Sequence, residues 1–346
     1  MIRQNTGILR IDAKQHTVRS DNADLQLPSP HFVADRDGTV FEFFDEAQKV
    51  LLARNSTCQQ VGQTIRELCG VLHLRRLALE KNEWVEFVDK ARQHPLCKTI
   101  HRDAFTYRSF SKPRGYAGDA VLLDMIYGTE HFWPMPDMDW VGQRIYRWST
   151  VSTSCEAVKC RRQVIAQMID EVAKSTPQAE VMSLAAGHFR EAELSPTIIR
   201  KRLGRMIAID SDEESLQQTE QDYGRFGVQS IHASARDVMS GKLELGEFDF
   251  VYTSGLCDYL SESMCQRLAA NLFSKLKPGG KLLLTNFMTN IETVGYMEVF
   301  MDWNLIYRDR MQMMQMTSKI PERMIRYTKC FAEENYNVIF LLVERT

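Results

Sequence analysis

Three short groups of small and acidic residues follow apolar stretches in the second half of this 346-residue chain. The first, residues 185–191, begins with small side chains that let the backbone approach a ligand closely, and a helix start after it would favour an anionic group. The second is Asp210, an acid that can accept hydrogen bonds from ribose hydroxyls. The third is residues 234–237, whose carboxylate can meet the exocyclic amine of an adenine. Together they fit one adenosine.

Two commoner nucleotide-binding patterns are missing from the chain. A dinucleotide enzyme would need GxGxxG and a P-loop would need GxxxxGK[ST], and the sequence has neither. Because Asp210 alone fits a surface helix cap as well as a ribose ligand, the prediction depends on the three groups together. It is a site for an adenosine without a pyrophosphate.

An alternation of strands and helices from residue 180 onward must position these groups. We predict strands over residues 181–185, 205–210, 228–233, 248–253, 281–287 and 337–345, and helices over 190–201, 213–226 and 262–275, with a helix-rich stretch at 291–316. Several of the strands are apolar throughout, which is typical of a parallel sheet covered on both faces. The fold class is therefore α/β, a Rossmann-like doubly wound sheet whose ligand lies beyond the carboxyl ends of the strands.

The first half of the chain has a different pattern. Residues 5–35 alternate weakly and predict a short hairpin or an extended arm, while residues 40–70 and 72–92 carry apolar side chains at helical spacing. We therefore expect a mainly helical cap or substrate domain over residues 1–165 and a Rossmann-like domain over residues 166–346.

Residues 101–119 form a segment rich in reactive side chains between predicted helices. It contains Pro113, Gly115 and Gly118 together with basic and aromatic residues such as Arg114 and Tyr116. A loop of this composition is often functional, and we expect it to close over the site from the N-terminal half. The alternative is a tight connector in which Asp119 caps the helix that begins near residue 120.

Candidate catalytic residues follow the fourth and fifth predicted strands. Asp258 and Tyr259 lie in SGLCDYL at residues 254–260, where they can orient or deprotonate an acceptor; alternatively Asp258 caps the helix near residue 262 and Tyr259 packs beneath it. Glu298 and Asp302 lie in the insertion after the fifth strand, which we expect to cover a substrate. No feature of the sequence calls for a metal.

Residues 180–287 resemble the class I S-adenosylmethionine methyltransferase domain, including the LKPGG turn at residues 276–280 before the fifth strand. The motifs KPRGYAGD (112–119), SLAAGHFRE (183–191), SGLCDYL (254–260) and MDWNLIYR (301–308) resemble, more narrowly, a bacterial subfamily. Its members include enzymes linked to making 3-hydroxypalmitic acid methyl ester. The resemblance implies S-adenosylmethionine as cofactor and direct in-line transfer of its methyl group to an acceptor.

The sequence departs from this family in the loop that follows the first strand. Ser183 replaces the usual acid, only Gly187 remains of three glycines, and His188 replaces a smaller residue. How the methionine part of the cofactor is held is therefore open, and Arg190 or the loop around Arg114 can compensate. The predicted cofactor contacts are Arg114, Tyr116, Ala185, Gly187, Arg190, Asp210, Ser211, Arg236, Asp237, Val238, Ser254 and Gly255.

Two interpretations of the acceptor stay open. The resemblance implies a carboxylate that becomes an ester, with Arg114 or Arg308 as its anchor. The local chemistry favours a cationic nitrogen, because Asp258, Glu298 and Asp302 form with Glu292 an acidic group. We favour a small polar metabolite, methylated on nitrogen or oxygen. A non-catalytic cofactor-binding module is the third alternative.

Composition and charge restrict the partners. The net charge is −2 with 44% hydrophobic residues, so no overall field favours nucleic acid or a membrane. Basic pairs such as Arg161-Arg162 are interpreted as solvated helix faces. The eight cysteines include no CxxC, and the first residues lack the apolar core of a signal peptide. We expect a cytoplasmic protein with a small-molecule acceptor, and a homodimer stays open.

Overall fold

The computed structural model describes residues 37–128 and 136–346, so the predicted arm at 5–35 lies outside the described residues. The N-terminal half is helical, as predicted. Its helices are α1 (Asp37–Leu52), α2 (Cys58–Ala78), α3 (Lys81–Gln93), α4 (Pro95–Ile100), α5 (Ala104–Ser111), α6 (Ala120–Tyr127), α7 (Trp140–Ser149) and α8 (Thr153–Ser175). No helix in the described ranges is long and apolar enough to cross a bilayer.

The boundary between the second and third helices differs from the prediction. We expected a break near Gly70, but α2 continues through this glycine to Ala78. The break comes at Glu80, whose backbone N–H donates to Glu83 Oε2 at 3.0 Å in a capping box. A single glycine inside a helix is tolerated, whereas a capping box satisfies the free N–H groups of a new first turn.

The C-terminal half contains a seven-stranded sheet. Its strands are β1 (Glu180–Leu184), β2 (Arg205–Asp210), β3 (Val228–His232), β4 (Phe248–Thr253), β5 (Leu276–Phe287), β6 (Ile325–Ala332) and β7 (Val338–Arg345). The order is β3-β2-β1-β4-β5-β7-β6. The first five strands are parallel, and β7 runs antiparallel between β5 and β6. This confirms the Rossmann-like methyltransferase sheet with a helical N-terminal region.

Short helices connect these strands, and one of them corrects the prediction. They are α9 (Pro196–Ile199), α10 (Glu213–Tyr223), α11 (Ala235–Met239), α12 (Glu262–Ser274), α13 (Val294–Phe300) and α14 (Arg310–Gln315). The single helix predicted over 190–201 is instead a 3₁₀ turn at Arg190–Leu194 followed by α9. Pro196 lacks an N–H and so starts a new helix, which the Ser195 side chain caps at Ile198 N.

The LKPGG segment lies inside β5 rather than forming a turn before it. Phe248 pairs with Leu276 and Phe250 pairs with Lys281, so the segment bulges out of the ladder. Gly279 has φ +77°, and a Cβ on Gly280 would lie 2.8 Å from the Lys277 carbonyl oxygen. Both glycines are therefore needed by the bulge.

A single apolar core joins the helical half to one face of the sheet. Leu72 of α2, Phe105 of α5 and Phe300 of α13 belong to the same buried cluster as Phe250 and Tyr252 of β4. A second cluster covers the opposite face of the sheet. The boundary at residues 165 and 166 stays a proposal, and it falls inside the continuous helix α8.

Candidate active site

Asp210 ends β2 and is wrapped by the loop that follows β1. Its Oδ2 accepts the N–H of Gly187 at 2.8 Å and its Oδ1 accepts the N–H of Asp212 at 2.9 Å. Gly187 and Ala185 have φ +55° and +56°, which turns the loop back over the carboxylate. Burial raises the pKa of Asp210, an effect that the two N–H donors oppose. Each oxygen keeps a further lone pair for an incoming hydroxyl.

The loop at residues 112–119 reaches this carboxylate from the helical half. Arg114 donates to Asp212 Oδ2 and to Ser215 Oγ, both at 3.0 Å. Burial, together with the charges of Asp210 and Asp212, raises the pKa of Tyr116, which places this phenol beside the same acids. The structure therefore brings Arg114 and Tyr116 to the end of β2, and their contact with a cofactor stays a prediction.

Arg190 is used differently from our expectation. It is buried, and its Nε and Nη2 donate to the two oxygens of Asp124 in α6 at 2.7 and 2.8 Å, while Nη1 donates to Asp222 at 2.6 Å. His188 is buried as well, and its Nδ1 lies 2.8 Å from Asp124 Oδ2. Arg190 fastens α6 to the loop after β1, so this geometry does not support its predicted cofactor contact.

The segment after β3 has fewer free polar groups for a cofactor than the sequence predicts. Asp237 Oδ2 accepts the hydroxyl of Ser234 at 2.6 Å and caps its own helix, and these hydrogen bonds from Ser234 lower the pKa of Asp237. The Val238 side chain is buried and its N–H donates to the Ser234 carbonyl. Arg236 and Ser211 are exposed. Asp237 lies at the carboxyl end of β3, as predicted, but its Oδ2 already accepts hydrogen bonds from Ser234.

At the end of β4, Ser254 and Gly255 lead into a 3₁₀ turn that buries Asp258. The Gly255 N–H donates to Thr285 Oγ1 at 3.2 Å, and Asp258 Oδ1 accepts the N–H of Phe287 at 2.7 Å. Burial raises the pKa of Asp258 to about 7, opposed by that N–H and by nearby arginine charges. Asp258 does not cap α12 and can change its charge near neutral pH.

Tyr259 meets the loop from the helical half. Its hydroxyl accepts a hydrogen bond from Trp303 Nε1 at 2.8 Å, and a Cβ on Gly118 would lie 2.8 Å from the same oxygen. The glycine therefore allows the 112–119 loop to pass close to the Tyr259 hydroxyl. Tyr259 remains partly exposed beside Asp258.

Glu298 and Asp302, predicted as catalytic acids, are occupied by partners in the helical half. Glu298 Oε2 accepts Trp84 Nε1 at 2.6 Å and Arg76 Nε at 2.8 Å. Asp302 pairs with Arg92 at 2.7 Å and also with a lysine of the 112–119 loop. Although burial acts the other way, hydrogen bonds from that lysine and from Arg92 lower the pKa of Asp302. The geometry supports a structural role for both acids.

Arg308, a predicted carboxylate anchor, is also engaged. Its Nη1 donates to the Cys257 carbonyl at 2.7 Å and to Asn286 Oδ1 at 2.6 Å, and its side chain is buried. It holds the turn after β4 against the end of β5, so the structure gives no support for Arg308 as an anchor.

Arg161 is a buried residue of the site that the sequence pattern does not predict. The pattern predicts a solvated helix face, but Arg161 is 4% exposed and lies against Gly255. The correction has a simple reason, because α8 packs on the sheet and turns this position inward. Arg162 is also turned largely inward, with its side chain 12% exposed and its guanidinium over the Tyr127 ring, so neither member of the pair lies on a solvated face.

A cavity of about 240 Å³ lies beside the turn that contains Asp258. Its lining comes from α2 and from the segments on either side of α13: His73, Arg76, Leu77, Thr289, Asn290, Val294 and Tyr307. Tyr307 Oη and His73 Nδ1 are buried and have no hydrogen-bond partner among the described residues. The Ile306 N–H donates to the Asp258 carbonyl at 2.7 Å, so the residue before Tyr307 contacts the turn that follows β4.

Residues 191–280 match the family model described as a methyltransferase domain. This part of the chain, which includes Asp210 and Asp258, is therefore similar to a methyltransferase domain. S-adenosylmethionine is the cofactor of this enzyme class, and the lone pairs of Asp210 beside the small-residue loop fit its adenosine part.

Solved structures are similar to the methyltransferase chain at low sequence identity. A possible exported protein from Bordetella parapertussis is 13% identical with a TM-score of 0.51, covering 92% of this chain and 98% of that one. Magnesium protoporphyrin IX methyltransferase from Synechocystis PCC 6803 with bound SAM is 11% identical with a TM-score of 0.39, covering 57% and 85%. The first likeness supports the fold across both halves. No curated protein matches the sequence.

Proposed function

We propose that the chain transfers the methyl group of S-adenosylmethionine to a small polar metabolite, on oxygen or nitrogen, that binds in the 240 Å³ cavity. One observation carries the proposal: Tyr307 Oη and His73 Nδ1 are buried polar atoms without hydrogen-bond partners among the described residues, and both residues line this cavity. Buried polar groups in proteins are almost always hydrogen-bonded, so a ligand with matching groups satisfies both. The volume suits a metabolite rather than a macromolecule.

His73 is suited to accept a proton from the acceptor. Burial and the charge of Arg76 lower the pKa of His73, which keeps its imidazole neutral at neutral pH. Tyr307 can orient the acceptor by a hydrogen bond from its hydroxyl. S-adenosylmethionine supplies an electrophilic methyl group when bound, and the protein mainly holds the acceptor in line and excludes water.

The ester-forming alternative has less support in this geometry. Its two proposed anchors, Arg114 and Arg308, already bind Asp212 and the carbonyl of Cys257. The acidic cluster proposed for a cationic acceptor is weakened in the same way, because Glu298 is paired with Arg76. The hydrogen-bonding side chains of His73 and Tyr307 in the cavity are therefore our candidates for selecting the acceptor.

Labelled cofactor and a fractionated metabolite extract test this function. We expect the wild-type chain to place the label in a small-molecule product, and Tyr307→Phe to reduce product formation about tenfold, in line with the loss of one buried hydrogen bond. Tyr336→Phe, at a 70% exposed position, is the matched control and should keep full activity. Label found only in nucleic acid or protein fractions would contradict the proposal.

A further inference from the structure

Arg161 is a buried cation without a direct ion-pair partner. It projects from α8 and is 4% exposed, and its side chain makes no hydrogen bond or ion pair with any residue that the structure describes. A buried charge is costly unless it is paired. The other arginines near the crevice, Arg114, Arg190 and Arg308, all have partners. Arg161 is therefore free to meet an anionic group that binds from outside.

A carboxylate oxygen of Asp258 borders the same space beside Gly255 as the Arg161 guanidinium. A Cβ on Gly255 would lie 3.3 Å from Arg161 Nη1 and 3.8 Å from Asp258 Oδ2, and no side chain fills this position. Asp258 Oδ1 is used by the N–H of Phe287, whereas Oδ2 has no hydrogen bond within the described part of the chain. The two side chains make no direct ion pair, so opposite charges border one space at the end of β4.

The neighbouring acid does not satisfy Arg161. Glu191 lies on the same side of the sheet, and its Oε1 accepts the hydroxyl of Tyr252 at 2.6 Å. Burial raises the pKa of Glu191, although the charges of Arg161 and Arg162 oppose this. Glu191 is thus turned toward β4 and hydrogen-bonded there.

We propose that Arg161 and Asp258, which we name the amino-acid clamp, bind the α-amino-acid end of S-adenosylmethionine. Arg161 would pair with the carboxylate and Asp258 Oδ2 with the ammonium group, the two opposite charges that an α-amino acid carries. This rests on the proposed cofactor site at Asp210 but not on the identity of the acceptor.

The sheet order supports this placement. The strands run β2-β1-β4, with Asp210 at the end of β2 and Gly255 just after β4. If the ribose binds at Asp210, a cofactor that extends past the end of β1 would bring its amino-acid group to the end of β4. Gly255 has φ +89° and no side chain, so it leaves room there. The clamp also explains how a loop with a single glycine suffices for the methionine part.

Binding of two nucleosides can be compared to test the clamp separately from the rest of the cofactor site. S-adenosylhomocysteine carries the amino-acid group and 5′-methylthioadenosine lacks it. By calorimetry we expect Arg161→Met to weaken S-adenosylhomocysteine binding about thirtyfold, the order for losing a charge-assisted pair, and methylthioadenosine binding less than about twofold. Arg161→Lys should recover part of the affinity. Arg162→Met removes the same charge one position along α8 and should leave both affinities unchanged.

Asp258→Asn provides a second, independent variant, for which we expect about a tenfold loss confined to S-adenosylhomocysteine. An equal loss of both nucleosides in the Arg161 and Asp258 variants would show a structural role and overturn the clamp. Unchanged S-adenosylhomocysteine affinity in folded Arg161→Met would overturn it as well. A wild-type chain that binds neither nucleoside would overturn the proposed function together with the clamp, so the two failures are distinguishable.

Discussion

Asp124 and Arg190 are joined by two parallel hydrogen bonds of 2.7 and 2.8 Å, with both side chains at most 4% exposed. Asp124 belongs to α6 in the helical half and Arg190 to the turn after β1. The pair therefore locks the helical half onto the loop that wraps Asp210. A bidentate geometry of this kind fixes orientation as well as distance.

Breaking this pair should destabilise the whole chain. We expect Arg190→Met to lower the free energy of unfolding by about 3 to 5 kcal/mol, because it leaves the buried Asp124 charge uncompensated. Arg326→Met is the control, since Arg326 is 68% exposed in its pair with Glu344 and should change stability by about 1 kcal/mol or less. Urea unfolding measures both. A loss for Arg190→Met no larger than the control would contradict the assignment.

Asp210→Ala should weaken cofactor binding. The carboxylate orders the loop through Gly187 and keeps lone pairs for the ribose, so we expect at least about a tenfold loss of S-adenosylhomocysteine affinity by calorimetry. Asp249→Ala removes an acid at the opposite end of the sheet, where it binds Lys277, and should leave affinity unchanged. Unaltered binding in a folded Asp210→Ala variant would remove this residue from the site.

The double variant Glu298→Gln, Asp302→Asn tests whether these acids act in structure or in chemistry. Both carboxylates lose their charge partners in the helical half, so we expect the free energy of unfolding to fall by about 1 to 3 kcal/mol. S-adenosylhomocysteine affinity should stay within about twofold. Abolished turnover with unchanged stability would instead restore the catalytic role that the sequence suggests.

Cofactor affinity should depend on pH through Asp258. Its pKa is about 7 in the folded chain, so the carboxyl is largely protonated below that pH and cannot pair with an ammonium group. Affinity for S-adenosylhomocysteine should therefore rise as pH increases through about 7. The groups that face Asp258 are Arg161 from α8, Arg308 and Tyr307 from the segment after α13, and the adjacent Tyr259. If the affinity of the wild type changes with pH no more than that of Asp258→Asn, Asp258 is not the source of the pH dependence.

The same shift has a consequence for stability. Since the folded pKa of Asp258, about 7, lies above its ordinary value of 3.8, its contribution to stability is fully present below pH 3.8 and is lost as pH rises from there to about 7. Thermal unfolding across this range should show wild type losing stability relative to Asp258→Asn. A gain of stability with rising pH relative to that variant would have the wrong sign.

The sheet could be predicted from the sequence because its central strands are buried on both faces. The stretches 205–210 and 248–253 are apolar runs, and the predicted bounds agree with β2 and β4. Strand β6 was missed because much of it is only partly buried and it carries charged residues at an edge of the sheet. The position of Asp210 at the end of β2 could be predicted because it follows from the strand pattern alone, and its contact with the cofactor stays a prediction.

The partners of the acids could not be predicted in this way. Glu298 finds Arg76 across 222 residues, and no spacing in the sequence encodes such a contact. Arg161 could not be predicted either, because a basic pair on a helix usually faces solvent, whereas the packing of α8 buries Arg161 and leaves the Arg162 side chain only 12% exposed. Residues at strand ends follow from topology, whereas residues on helices depend on tertiary packing.

The shared core between the helical half and the sheet has a consequence for how the chain folds. Trp84 and Glu298 are hydrogen-bonded at a separation of 214 residues, and Arg114 binds Asp212 across 98. Contacts this distant give a high contact order, which slows folding because long loops must close before the contacts stabilise them. A ribosome-bound chain that lacks its final third would accordingly lack β4, β5 and α13, so the core that these elements share with the helical half could not yet form.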